Sequence, residues 1–142
     1  SICRDIGLNL GCGAAMCALE RLASGVFSVE DAIDLESLRT ASVEDIEKLL
    51  YPADYPLVHF GQGMVDRHGA KWFVNGGWLE LRRVDIKKRP ELEKKDKESK
   101  IPVKDIYRRM YNIYDKENRN FLGTAYYDEE KNMLVPDKIF QR

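Results

Sequence analysis

The first 60 residues carry short apolar stripes separated by polar breaks, a pattern typical of small helices. Apolar side chains recur every four residues from Ile2 to Leu10 and predict a helix that ends at the glycine-rich run 11–13. Between residues 14 and 29 apolar and polar side chains alternate around Gly25, which indicates a strand or a bent hairpin. The chain therefore opens with a helix followed by extended structure.

Two serine-led capping signatures follow. Ser28 is placed to cap a short helix whose apolar face would be completed by Leu35 and Leu38. Ser42 is placed to cap a second one, with Asp45 three residues later where a capping box carries its acidic partner. We expect two short acidic helices after the extended region.

The pattern of apolar and polar residues changes near residue 60. Residues 57–60 predict a short strand that runs into the glycine-rich segment 61–63, our expected domain boundary. The runs 71–74 and 78–81 are rich in aromatic and branched residues, and the Asn-Gly-Gly segment 75–77 between them is a strong turn signal. From here the pattern indicates short strands and turns.

The remainder predicts a small meander. The charged segment Lys87 to Lys104 is poor in apolar residues and is typical of a loop, and the apolar run 106–114 fits either helix or strand. A polar turn at 115–118 then precedes strands at 121–127 and 133–136. The predicted fold class is α+β, with a β-rich second half of about eighty residues.

Composition and charge narrow the range of functions. With 142 residues, 44% hydrophobic and 33% charged, the chain is that of a globular protein of one or two domains. No apolar run reaches the ~20 residues that a membrane-spanning helix needs. Residues 1–60 hold four Lys/Arg and ten Asp/Glu, whereas residues 61–142 hold nineteen and fourteen. The second half is thus the better candidate for binding a polyanion.

The three cysteines do not suggest a metal centre. Cys3, Cys12 and Cys17 form no C-x-x-C pair and have no nearby histidine, so we expect buried, reduced thiols in a cytosolic protein. We recognise no secretory signal at the start of the chain. Because the chain opens with Ser1 instead of Met, we expect it to be a fragment.

The opening segment resembles the bacterial TruB family of tRNA pseudouridine synthases, in which it directly continues a G-T-Y-I-R motif. The residues that carry this resemblance are Asp5-Ile6-Gly7, Leu10-Gly11-Cys12-Gly13-Ala14, Leu19-Glu20-Arg21 and Ser24-Gly25-Val26-Phe27. Residues 55–58 and the later Asn75-Gly76 look like the family's passage into a C-terminal module related to the PUA RNA-binding fold. The resemblance is dense over residues 1–38 and loose beyond residue 70.

The resemblance implies a function. Residues 1–60 would be the C-terminal part of the catalytic domain and residues 61–142 a PUA-like RNA-binding module. The whole enzyme would isomerise uridine 55 of the tRNA T loop in the cytoplasm, without a metal or organic cofactor. Both the family's catalytic aspartate and its partner arginine would precede Ser1, so this chain alone should be inactive.

Family motifs point to two substrate-binding positions. Leu19 matches the family's apolar pocket residue, and Arg21 matches the second arginine of its L-R-R run, a position near RNA. Glu20 departs from that run, and Ala15 replaces a histidine common in some members. Asp5 is not the catalytic aspartate, and its position near a helix start favours a capping role.

The second half offers candidates for RNA contact. Trp72, Phe73 and Trp78 would either stack on bases or pack in the core. The first choices for contacts with the RNA backbone are Lys71, Arg82 and Arg83.

Two readings compete with the enzyme. One is a non-catalytic RNA-binding module built on the β-rich half, and the other is an interaction domain whose basic excess belongs to the loop 87–104. A truncated catalytic sheet would also expose an unpaired edge, so the fragment could self-associate.

Overall fold

The computed structural model describes residues 2–91 and 108–140. The chain divides into two compact units, Ser1–Leu50 and Tyr51–Arg142. The first unit is mainly helical and the second is built on a β-sheet, so the predicted α+β class with a small β-rich second module is confirmed.

The first unit begins as predicted. Helix α1 (Ile2–Leu10) ends at Gly11, whose φ of 71° is a left-handed value that favours glycine. The extended region is much shorter than predicted, because only β1 (Ala23–Ser24) and β2 (Phe27–Ser28) pair, on either side of Gly25. The prediction of a bent hairpin is therefore confirmed only over these residues.

The acidic helices are three short pieces. Ser28 caps only a 3-10 turn, Val29–Asp31, since Ala32 returns to an extended backbone. Leu35 and Leu38 lie instead in a separate helix, α2 (Leu35–Thr40), which Asp34 caps. Helix α3 (Val43–Leu49) confirms the second prediction, with the Asp45 N–H donating to Ser42 Oγ.

In its described residues, the second unit consists of a six-stranded sheet and one α-helix, α4 (Arg67–Val74). Its strands are β3 (Gly61–Val65), β4 (Leu79–Glu80), β5 (Asp85–Lys88), β6 (Met110–Asp115), β7 (Phe121–Asp128) and β8 (Met133–Ile139). The strand order is β4-β8-β7-β6-β3-β5; β3 and β6 are parallel and the remaining pairs are antiparallel.

The strand predicted at residues 57–60 is wrong in position. A 3-10 turn occupies Tyr55–Leu57, and the strand begins at Gly61, inside the segment expected to be a connection. A Cβ on Gly61 would lie 2.5 Å from the ring of Tyr111, and one on Gly63 would lie 2.7 Å from Val84 Cγ1. The glycines therefore mark close packing against β3.

The strand predicted at residues 71–74 is also wrong. These residues form the second half of α4, which starts at Asp66, whose carboxylate accepts a hydrogen bond from the Gly69 N–H at 2.7 Å. The turn signal at 75–77 instead ends this helix, and Gly76 adopts a φ of 83° there. The predicted strand 78–81 contracts to β4, followed by the 3-10 turn Leu81–Arg83.

The C-terminal meander is confirmed. Strands β6, β7 and β8 pair in succession, and the polar turn after Asp115 joins the first two. Most of the charged segment 87–104 and the first part of the run 106–114 lie outside the described residues. The described end of that run is a strand.

The core of the second unit lies between α4 and the sheet. Phe73, Ile113 and Leu134 are completely buried, and Val65 and Ala125 lie beside them. Because Phe73 faces this core, the opposite side of α4 is left for surface contacts. The core thus positions the surface described next.

Candidate nucleic-acid interface

A cavity of about 540 Å³ opens between α4 and β4 in the second unit. We call it the α4 groove and define it by the polar and aromatic side chains that line it: Asp66, His68, Trp72, Trp78, Glu80 and Arg83. Its residues come from both ends of α4 and from the segment after it. Its charged side chains are two carboxylates, Asp66 and Glu80, and one guanidinium, Arg83, beside the two tryptophans.

Two tryptophans lie at this groove. The Trp72 Nε1–H donates to the Trp78 carbonyl oxygen at 3.0 Å, and a Cβ on Gly77 would lie 2.2 Å from Trp72 Nε1. Trp72 is 56% exposed and Trp78 41% exposed, whereas Phe73 is fully buried. Of the three predicted aromatics, Phe73 therefore packs in the core and the two tryptophans keep surface available for stacking.

The basic residues predicted for RNA contact lie on two elements. Lys71 is exposed on the last turn of α4, and Arg82 and Arg83 lie on the 3-10 turn Leu81–Arg83. Arg83 lines the α4 groove, whereas Lys71 and Arg82 are not among its lining residues. The structure thus brings one of the three to the groove itself.

Glu80 forms ion pairs with both Arg82 and Arg83. The Arg82 Nε–H donates to Glu80 Oε2 at 2.5 Å, and Arg83 Nε lies 4.0 Å from the same oxygen. The hydrogen bond from Arg82 holds the pKa of the Glu80 carboxyl below its usual value, with smaller contributions from the charges of both arginines. An incoming phosphate would therefore compete with Glu80 for these guanidinium groups.

The sequence did not single out Asp66 and His68, which line the groove, or Lys131, which lies against Trp78. Lys131 places its ammonium 4.4 Å from the centre of the Trp78 ring, in a cation–π contact. Asp66 caps α4 and His68 lies in its first turn. This helix was not predicted, because residues 71–74 were assigned to a strand. Asp66, a residue type preferred at helix N-caps, was the signal that could have revealed this helix start.

Leu19 and Arg21 belong to the other unit. Both follow α1 in a stretch without helix or strand and are exposed, Leu19 by 81%. Glu20, between them, is also exposed. Nothing further in the structure tests their predicted roles.

The described residues contain no group of three or more His, Cys, Asp or Glu side chains that could hold a metal ion. The expectation of buried thiols is wrong for Cys12 and Cys17, which are exposed, while Cys3 is half-buried. The reason is that the first unit buries very little of its surface. Within residues 2–91 and 108–140, no helix has both the length and the apolar character to span a membrane.

Comparison with known proteins points to one family. Residues 1–58 match the model of the tRNA pseudouridylate synthase B C-terminal domain. A tRNA pseudouridine synthase B from Alkaliphilus oremlandii is 42% identical over 76 residues, which are 54% of this chain and 25% of the relative.

Two longer matches reach into the second unit. The tRNA pseudouridine synthase B of Clostridium novyi is 34% identical over 123 residues, covering 87% of this chain and 35% of the relative. That of Lachnoclostridium phytofermentans is 30% identical over 146 residues, covering 99% and 41%. The chain thus spans between a quarter and about two fifths of these curated relatives. It belongs to the tRNA pseudouridine synthase B family.

Proposed function

We propose that the full-length protein is a tRNA pseudouridine synthase that converts uridine 55 of the T loop to pseudouridine. In this proposal residues 1–60 are the C-terminal part of the catalytic domain and residues 61–142 are a PUA-like RNA-binding module. The observation that carries it is the match of residues 1–58 to the family's C-terminal domain, together with the names of the relatives.

The exposed apolar surface of the first unit supports this role. Among its described residues only Gly7 is buried. The large apolar side chains left exposed there include Ile2, Leu8, Leu10, Leu22, Leu35, Val43 and Leu50. A surface of this kind is typical of an element that packs against further protein. We assign that role to the remainder of the catalytic domain, which the curated relatives have the length to contain.

Leu19 and Arg21 would contribute one wall of the active-site cleft. Such enzymes extrude the target nucleotide at a cost of a few kcal/mol, and contacts between the extruded base and a pocket offset this cost. An exposed Leu19 is available to contact the extruded base, and an exposed Arg21 to contact a neighbouring phosphate. The catalytic aspartate would come from outside residues 1–142, so this chain alone is expected to be inactive.

A pseudouridine assay on T-arm RNA tests this proposal. The full-length protein should form pseudouridine, and the 142-residue chain should not. In the full-length protein, Leu19→Ala should lower kcat, whereas Val58→Ala, a truncation at an exposed apolar residue of the second unit, should not. If the full-length protein is inactive but still binds the RNA, the enzyme hypothesis is wrong and the hypothesis of a non-catalytic RNA-binding module takes its place.

The second unit would supply RNA contacts through the α4 groove and through Arg82 and Arg83, of which Arg83 lines the groove. Tryptophan faces suit stacking on bases, and Arg82 and Arg83 suit phosphate. Replacing both arginines by alanine should weaken tRNA binding and lower its salt dependence by about one phosphate equivalent per lost contact. The double change Arg119→Ala and Lys138→Ala, at exposed positions elsewhere on the unit, is the matched control. Equal salt slopes for the two double variants would remove Arg82 and Arg83 from the interface.

A further inference from the structure

A second cavity, of about 350 Å³, adjoins the 3-10 turn Leu81–Arg83. We call it the basic cavity. Three consecutive cations from the end of β5, Lys87, Lys88 and Arg89, line it together with two tyrosines, Tyr111 and Tyr127. Nothing in the family comparison assigns it a role. Its lining joins positive charge to aromatic rings.

Two of the three cations are already engaged. Lys87 Nζ lies 2.7 Å from a carboxylate oxygen of Asp85. Lys88 Nζ lies 2.6 Å from Glu91 Oε1 and donates to the Val58 carbonyl oxygen at 2.8 Å. Arg89 is exposed, and no carboxylate in residues 2–91 and 108–140 lies within ion-pair distance of it. Its guanidinium is therefore the group best placed to accept a phosphate.

The tyrosines provide a fixed aromatic surface. Tyr111 is almost buried, with its ring against the backbone of Gly61. Tyr127 is half-buried, packs against the core and has its hydroxyl 2.8 Å from Asn132 Oδ1. Because both ends of Tyr127 are held, its ring can receive a stacked base with little loss of side-chain freedom.

The two cavities are neighbours. Glu80 and Arg83 line the α4 groove, whereas Leu81, between them in sequence, lines the basic cavity. The turn Leu81–Arg83 therefore contributes a residue to each cavity, and the side chain of Arg82 is 78% exposed on it. Two groups of basic side chains, Arg82 with Arg83 and then Lys87 to Arg89, thus lie close together in sequence beside the two cavities.

We propose that the basic cavity binds an unpaired nucleotide of the same RNA strand that the α4 groove holds, with Arg89 on its phosphate and Tyr127 against its base. This inference rests on the proposed RNA binding by the second unit. It adds a binding site and two residues, Arg89 and Tyr127, to the contacts argued above. A strand that occupies both sites would pass over Arg82.

The experiment measures binding of a single-stranded uridine hexanucleotide to the whole 142-residue chain at several salt concentrations. Arg89→Gln should weaken binding about fivefold and lower the salt slope by ~0.7, the value for one phosphate on a single strand. Tyr127→Leu should weaken binding on the order of tenfold, as expected for a lost stacking contact. Arg119→Gln, at an exposed arginine of the same unit, is the matched control and should change neither quantity.

The outcomes separate the two proposals. If the Arg82→Ala, Arg83→Ala double variant weakens binding while Arg89→Gln behaves as Arg119→Gln does, RNA binding stands and the basic cavity is excluded from it. If the unaltered chain binds tRNA but not the hexanucleotide, the strand proposal fails and RNA binding by the second unit stands. If it binds neither RNA, both proposals fail.

Uridine 5′-monophosphate is the second probe. If this nucleotide binds as tightly as the hexanucleotide does, the cavity binds free nucleotides and the strand proposal is overturned. Near-UV circular dichroism shows whether Tyr127→Leu folds, and the exposed Arg89→Gln tests the site in either case.

Discussion

Asp66 stands where β3 passes into α4, and one of its carboxylate oxygens accepts the Gly69 N–H. This bond satisfies a backbone donor that the first turn of a helix leaves without a partner. Because α4 carries Trp72 and Phe73 on different sides, the cap fixes both a core residue and a groove residue. Single residues at element boundaries thus determine the surface at the groove.

Removing this cap should cost measurable stability. Asp66→Ala is expected to lower the free energy of unfolding by about 1 kcal/mol, since alanine cannot accept the Gly69 N–H. Asp66→Asn keeps an accepting oxygen and should lose much less. Urea unfolding followed by tryptophan fluorescence measures both. Equal losses for the two variants would show that charge, and not the cap, is what Asp66 contributes.

Gly61 is a second residue whose size matters. A Cβ there would lie 2.5 Å from the Tyr111 ring and 2.9 Å from the Lys88 carbonyl oxygen. Gly61→Ala should therefore destabilise the second unit by about 1–3 kcal/mol through overpacking. In the Tyr111→Leu background the same change should cost less, because the ring is gone. A thermodynamic cycle from urea unfolding tests this, and strictly additive losses would contradict it.

At the scale of elements, side chains hold the 3-10 turn Tyr55–Leu57 on strand β6. The Tyr114 hydroxyl donates to Asp54 Oδ2 at 2.6 Å, and the Asn112 amide donates to the Leu57 carbonyl oxygen at 3.1 Å. Burial, together with the nearby Asp54 carboxylate, raises the pKa of Tyr114 above its usual value. The neutral phenol is thus the form that the folded protein favours.

This raised pKa makes an alkaline prediction. Because the pKa of Tyr114 is higher in the folded than in the unfolded state, its contribution to stability is complete below the ordinary pKa of 10.0 and is lost as the pH rises above it. The free energy of unfolding of the unaltered chain should therefore fall above pH 10 more steeply than that of Tyr114→Phe. Tyr126→Phe is the matched control. Parallel pH profiles for Tyr114→Phe and the unaltered chain would contradict this assignment.

The elements also show where the sequence was sufficient. The turn at 115–118 and the two strands after it were predicted correctly, because polar turn residues separate apolar runs that pair with their neighbours in sequence. The run 71–74 was wrongly predicted as a strand, because its aromatic and branched residues favour a strand locally while the Asp66 cap and the burial of Phe73 favour a helix. Short apolar runs leave this choice to tertiary packing.

At the scale of the whole molecule, the two units differ in how much they bury. Phe73, Ile113 and Leu134 are 0% exposed in the second unit, whereas only Gly7 is buried among the described residues of the first. Burial of apolar area is the main favourable term in folding. The second unit therefore buries enough apolar surface to fold independently, whereas the first unit buries very little.

Separating the units tests this difference. Residues 51–142 expressed alone should show a cooperative thermal transition and retain near-UV circular dichroism, because they contain the whole described core. Residues 1–50 alone should show neither. A cooperative transition in residues 1–50 would contradict the assignment of their exposed apolar surface to packing against further protein. Loss of structure in residues 51–142 would show that the second unit depends on the first.

The sequence by itself determined the family, the α+β class, the C-terminal meander and the basic, aromatic character of the second half, because these depend on motifs, local periodicity and charge. It could name Arg82, Arg83, Trp72 and Trp78 as candidates but not say which of them share a surface. Tertiary structure decided the helix at 67–74, the core position of Phe73, the pairing of both arginines with Glu80 and the two cavities beside the turn Leu81–Arg83. The physical reason is that a cavity is formed by residues distant in sequence, whose proximity depends on how the whole sheet packs.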